Sequence, residues 1–124
     1  MEEKNWREYL KNEEIKYNRL GHIRCSAFGG EEIYFNHYGL HHLIYKGDKV
    51  RTKDEIIKRF SLLLFAPNIL KKIKSVDKEE KRTKGKTYAY FWTIKYKVHH
   101  NLCVRIIIRR LNNGTLHFFS IMKE

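Results

Sequence analysis

The sequence predicts an α+β fold: N-terminal helices packed on a four-stranded antiparallel β-meander, in one basic domain over residues 1–124. Three observations predict it. Apolar residues recur at helical spacing up to Ile73, the period changes to two from Lys74 onward, and short turn signals separate the alternating runs. A chain of 124 residues buries roughly two-thirds of its unfolded surface and needs no disulfide or metal staple. Its 42% hydrophobic and 14% aromatic content argues against disorder.

The first helix is expected over Asn5 to Leu20, where Trp6, Leu10, Tyr17 and Leu20 fall on one face and Tyr9 and Ile15 widen it. Gly21 supplies its stop. Gly29-Gly30 marks a turn, and Glu31 to Tyr34 or Phe35 reads as a short strand. Thr52 to Glu55 matches a capping box, with Thr52 as N-cap and Glu55 reaching back. Ile56, Ile57, Phe60, Leu63 and Leu64 form the apolar face of that second helix, and Pro67 limits it to about Phe65. Asn68 is placed to cap a last turn holding Ile69, Leu70 and Ile73.

Four strands follow. The first is expected over Ser75 to Arg82, then Tyr88 to Val98, Leu102 to Arg109 and Leu116 to Met122, joined by turns at 83–85, 99–101 and 112–114. Gly114 in the left-handed position would set Leu116 beside Arg110 and His117 beside Arg109. One face then carries Leu102, Val104, Ile106, Ile108, Leu116, Phe118 and Met122 toward the helices. The other carries Cys103, Arg105, Ile107, Arg109, His117 and Phe119. The stripe Tyr88, Tyr90, Trp92, Ile94, Tyr96 and Val98 reads first as core, and second as a platform on which nucleobases could stack beside Lys95 and Lys97.

Charge narrows the function. Lys+Arg number 26 and Asp+Glu 14, net +12, and ten of those twelve charges fall in residues 71–110. A localised basic stripe is the footprint of a polyanion binder, with nucleic acid the first partner to consider. No apolar run approaches the ~18 residues of a membrane span, so no membrane partner is expected. The opening residues carry acids, so no secretory signal is expected either, and Cys25 and Cys103 suit a reducing cytoplasm.

Seven histidines accompany the bases: His22, His37, His41, His42, His99, His100 and His117. There is no CxxC or HExxH, adjacent histidine pairs seldom ligate one ion, and no glycine-rich phosphate loop precedes a helix. Neither a metal nor a cofactor is expected. A metal-free ribonuclease needs a base for the ribose 2′-OH, donors for the phosphoryl oxygens and an acid for the leaving 5′ oxygen. Histidine and arginine supply these roles. They occur together in the segment His37 to Arg51 and on the polar strand face. Lys46, Lys95, Lys97, Arg109 and His117 are the candidate substrate-binding residues.

The segment Tyr38-Gly39-Leu40-His41-His42-Leu43-Ile44-Tyr45-Lys46 leads to Arg51, then a helix, then Ala66-Pro67-Asn68-Ile69, and the last strand runs from Gly114 to Ser120. This arrangement resembles the barnase–EndoU–colicin–RelE superfamily of ribonuclease toxins, in particular its phage-associated branch, over about residues 35–122. The resemblance implies helices followed by an antiparallel sheet and metal-independent RNA cleavage. It implies His42 or His41 as general base or acid, Arg51 and Arg105 on phosphate, and Ser120 at the scissile phosphate. It also implies RNA as substrate (tRNA, mRNA or ribosome-bound) and an antitoxin or immunity protein as a possible partner. The register above sets Ser120 on the core face, opposite Arg105. Two other functions use the same basic stripe: a non-catalytic nucleic-acid-binding module, and a basic module that meets an acidic protein.

Overall fold

The computed structural model describes residues 2–76 and 78–124. Helix α1 (Glu3–Asn18) is followed by strand β1 (His22–Cys25), a 3₁₀ turn, β2 (Glu31–Tyr34), α2 (His37–Ile44) and a two-stranded ribbon of β3 (Tyr45–Lys46) and β4 (Lys49–Val50). Then come α3 (Lys53–Leu63), α4 (Ala66–Lys72) and four strands: β5 (Lys78–Lys84), β6 (Thr87–His99), β7 (Leu102–Leu111) and β8 (Leu116–Lys123).

The α+β class holds, but the sheet is not the expected four-stranded antiparallel meander. It has six strands in the order β1-β2-β8-β7-β6-β5 and is mixed, because β2 lies parallel to β8 through Ile33–Leu116 and Tyr34–His117. Within it, β5 to β8 are consecutive antiparallel neighbours. The two added strands are four residues each; β2 falls where a short strand is expected, β1 pairs with it locally, and only the parallel pairing of β2 with β8 reaches far along the chain.

Local chemistry explains most boundaries. The Thr52 hydroxyl accepts from the Glu55 amide at 3.2 Å and starts α3, as a cap should. The reciprocal half of the capping box is replaced: the Glu55 carboxylate turns to Arg59 at 2.9 Å and Arg51 at 3.7 Å. Thr52→Ala is expected to cost about 0.5–2 kcal/mol, measured as a lowered Tm with no loss of sheet signal. The helix ends at Leu63 rather than near Phe65, leaving Leu64 75% exposed instead of on the apolar face. Pro67 sits in the first turn of α4, and Asn68 lies inside that helix instead of capping it. Ile15, expected to widen the apolar face of α1, is exposed, while Trp6 and Tyr17 of that helix are buried. The strand expected from Ser75 is observed from Lys78, and Asp77 in that range lies outside the described residues.

The segment His37–Ile44, which carries His41 and His42, is helical. The Asn36 side chain accepts from the Tyr38 amide at 3.1 Å and caps α2. Gly39, a weak helix former in mid-helix, is what hides this element in the sequence. It is also what seats it. A Cβ at Gly39 would meet the Tyr17 hydroxyl, the Phe118 carbonyl oxygen at 2.5 Å and the Phe118 ring at 2.6 Å, so α2 lies directly on the backbone of β8.

The register of the last hairpin is as the sequence indicates: Arg110 faces Leu116 and Arg109 faces His117. The left-handed residue of the turn is Asn112 (φ 50°) rather than Gly114. Beyond Ile108–Phe118 the pairing resumes at Ile107–Ser120, so Phe119 is an extra residue in a bulge. That single insertion exchanges the faces of the strand's end. Ile121 enters the core opposite Ile106, Met122 leaves it, and Ser120 moves to the face of Arg105, Ile107 and Arg109.

Candidate phosphate-binding site

The bulge, the capped α2 and the start of α3 meet at one place. Arg109 on β7 donates from Nε to His117 Nε2 on β8 at 2.9 Å. Its guanidinium lies over the rings of Phe119 (4.3 Å) and Tyr38 (4.8 Å). Tyr38 stacks on His117 at 5.2 Å, and the next turn of α2 sets the His42 ring 4.4 Å from Phe119. Residues 38 and 42 share one helix face, which is why both reach the sheet. Arg51 donates from Nε to the His42 carbonyl at 3.0 Å and turns Nη2 toward His42 Nδ1 at 3.5 Å. Arg59 on α3 donates to the Ser120 hydroxyl at 3.1 Å and the Ile121 carbonyl at 3.2 Å.

Three guanidinium groups thus stand around His42, with Glu55 bridging two of them. Burial, then the field of Arg51, Arg59 and Arg109, pushes the His42 ring down to about 4. Burial and Arg109 likewise push His117 down to about 4, partly opposed by a backbone hydrogen bond at Thr115. Both rings are therefore neutral at pH 7. Arginine has only donors, so His117 carries its proton on Nδ1 and His42 its proton on Nε2. Burial also lowers the Arg109 guanidinium, and its Nη2 is buried without a hydrogen-bond partner. A half-buried cation with a spare, buried donor gains from an anion placed against it.

The two lowered histidines make stability pH-dependent. Their folded values lie below the unfolded value of 6.5, so the unfolded chain binds protons that the fold refuses. Stability is full above about pH 6.5 and falls as pH drops toward 4. Thermal melts across that window should show a steadily falling Tm, and His117→Gln should flatten the slope; a level Tm would mean that these rings titrate normally.

Of the residues proposed from sequence, His42, Arg51, Arg109, His117 and Ser120 come together here. Ser120 is buried and held by Arg59 rather than presented to solvent. His41 is exposed and stacks on Tyr45 at 4.5 Å, away from the cluster. Arg105 stays outside too. It shares the sheet face but is taken by Glu124 at 2.8 Å, which also engages Lys95 at 3.2 Å. Lys97 is exposed farther along β6. Lys46 on the ribbon lines, with Lys49, Arg51 and Glu55, a cleft of about 430 Å³. Three members escaped the sequence reading: Arg59, Tyr38 and Phe119. The spacing of Arg59 four residues after Glu55 marks an ion pair but not its reach to Ser120.

Among the described residues, no group of three or more His, Cys, Asp or Glu side chains comes together to hold a metal ion, and no helix is long and apolar enough to cross a membrane. Comparisons with protein-family models, with curated proteins and with solved structures produced no match to this chain.

Proposed function

We propose that the protein is a metal-independent endoribonuclease that cleaves RNA by attack of a ribose 2′-OH on the adjacent phosphate. One observation carries this reading: a neutral histidine, His42, stands among three arginines, two of which share the single carboxylate of Glu55. A phosphodiester fits that excess, with Arg109 and Arg51 as its donors. When Arg51 turns from His42 Nδ1 to the phosphate, the nitrogen is free to take the 2′-OH proton. The 2′ oxygen bonds to phosphorus, the bond to the 5′ oxygen breaks, and that oxygen takes a proton from water or from the Tyr38 phenol. The arginines hold the charge that builds on the phosphoryl oxygens. His117 keeps Arg109 in place.

The reading carries the family resemblance with it: a toxin of a toxin–antitoxin or phage-associated system, acting in the cytoplasm on tRNA, mRNA or ribosome-bound RNA and countered by an antitoxin or immunity protein. A second reading, a non-catalytic RNA- or DNA-binding module, draws on a different observation. His117 Nε2 and His42 Nδ1 both already accept from arginines. The two readings part on one substrate pair. Cleavage should survive a chelator, leave a 2′,3′-cyclic phosphate, and vanish when the cleaved position carries 2′-deoxyribose. Salt-sensitive binding of both substrates with cleavage of neither would establish the binding module.

A further inference from the structure

A second aromatic and basic surface lies on the opposite face of the sheet. Tyr88, Tyr90 and Trp92 form a row on β6: Trp92 stacks on Tyr90 at 6.0 Å, and Tyr88 meets Tyr90 edge-on at 5.8 Å. Trp92 is half-buried against the core and takes the edge of Phe28, but Tyr88 and Tyr90 continue the row beyond the core cluster. Cations cover these rings where a core row would have apolar partners. Lys81 lies 4.8 Å from the Tyr88 ring and 5.5 Å from Tyr90, and Arg110 lies 5.9 Å from Trp92. Glu31 holds Arg110, while Lys81 is exposed and long enough to swing aside. From Lys81 through Thr87 the hairpin carries Lys81, Arg82, Lys84 and Lys86 and no acid.

We infer that this row is a docking surface for single-stranded RNA, with bases stacking on Tyr88 and Tyr90 and the phosphates running from Lys81 toward the hairpin tip at Lys84 and Lys86. Flat rings spaced along one strand, with Lys81 over two of them and Lys84 and Lys86 at the hairpin tip, match the alternation of base and phosphate in an unpaired strand. Only the choice of RNA rests on the proposed function; the stacking geometry does not.

The probe is a fluorescein-labelled 2′-O-methyl oligouridine of about twelve nucleotides, which lacks the nucleophilic hydroxyl and is read by anisotropy. Tyr88→Ala and Tyr90→Ala should each raise its Kd at least about fivefold, and Tyr90→Phe should stay within about twofold of the unaltered protein. Lys81→Ala should make the salt dependence shallower. Unchanged Kd in both alanine variants, with melting temperatures retained, overturns the inference. So does equal competition by oligoglutamate, which would mean that the surface takes any polyanion. A dinucleotide reaches only the His42 cluster, so Tyr90→Ala should cleave it at the unaltered rate. Tyrosine-dependent binding of the oligomer by a protein that cleaves no dinucleotide would sink the ribonuclease reading and leave this surface standing.

Discussion

His42→Ala should lower the rate of RNA cleavage by at least about 10²-fold while the fold survives. The ring is the neutral base of the proposed reaction, and the second neutral imidazole of the cluster is His117. His117 Nε2 is held by Arg109 at 2.9 Å, a shorter and firmer contact than the 3.5 Å between Arg51 and His42. The fold should survive because the anchoring bond from Arg51 goes to the His42 main-chain carbonyl, which alanine retains. The ring itself lies 4.4 Å from the partly buried Phe119 and 3.5 Å from Arg51 Nη2. Arg105→Ala makes the matching control: its partner is the exposed Glu124, an ion pair screened by solvent, and cleavage should stay near the unaltered rate. A strong loss in Arg105→Ala with full activity in His42→Ala would move the site to the far end of the sheet. His41→Ala should resemble the Arg105 control, since its ring lies on Tyr45.

Gly39→Ala should destabilise the protein by about 1–3 kcal/mol or more, an effect out of proportion to one methyl group. In an isolated helix the same change is favourable by up to about 1 kcal/mol, because alanine is the better helix former. Here the new carbon would sit 2.5 Å from the Phe118 carbonyl oxygen and crowd the Tyr17 hydroxyl. The carbonyl is main chain in a central region of the sheet and does not yield easily. Tyr17 is fully buried and donates to the Asn36 carbonyl at 2.7 Å, so moving it disturbs the start of α2 as well. Relief requires α2 to lift from β8, which would carry Tyr38 and His42 away from Arg109 and Phe119. Tm and cleavage should therefore fall together in this variant. A raised Tm would mean that α2 docks less closely than described.

These two positions show what the sequence reveals and what it hides. The Thr52 cap of α3 is legible because its chemistry is local: hydroxyl, spacing and apolar face lie within a few residues. The last hairpin's register is legible because turn and alternation lie within a dozen residues. Helix α2 is not, because its glycine serves a contact with a strand about eighty residues away. The parallel pairing of β2 with β8 has no local signature either. The bulge at Phe119 has no glycine or proline to announce it, yet it decides which face Ser120 takes. The candidate site follows the same rule. His42 and Arg51 were visible as residue types near one another, and Arg109 and His117 as register partners. Their convergence, and the arrival of Arg59, depend on long-range packing. Arg105 looked equivalent to Arg109 because both alternate onto one face; Glu124, placed by the strand's final residues, takes it out of the site.

The titration of the His42 and His117 ring protons, followed by NMR in the free protein and with a bound dinucleotide whose 2′ nucleophile is deoxygenated, tests the central claim most directly. In the free protein both rings should titrate near 4, because burial and the arginines disfavour their charged forms. A phosphodiester seated between Arg51 and Arg109 offsets that field, so the His42 midpoint should move up toward the ordinary 6.5 on binding. Saturated binding that leaves both midpoints where they were would place the nucleotide elsewhere and contradict the account.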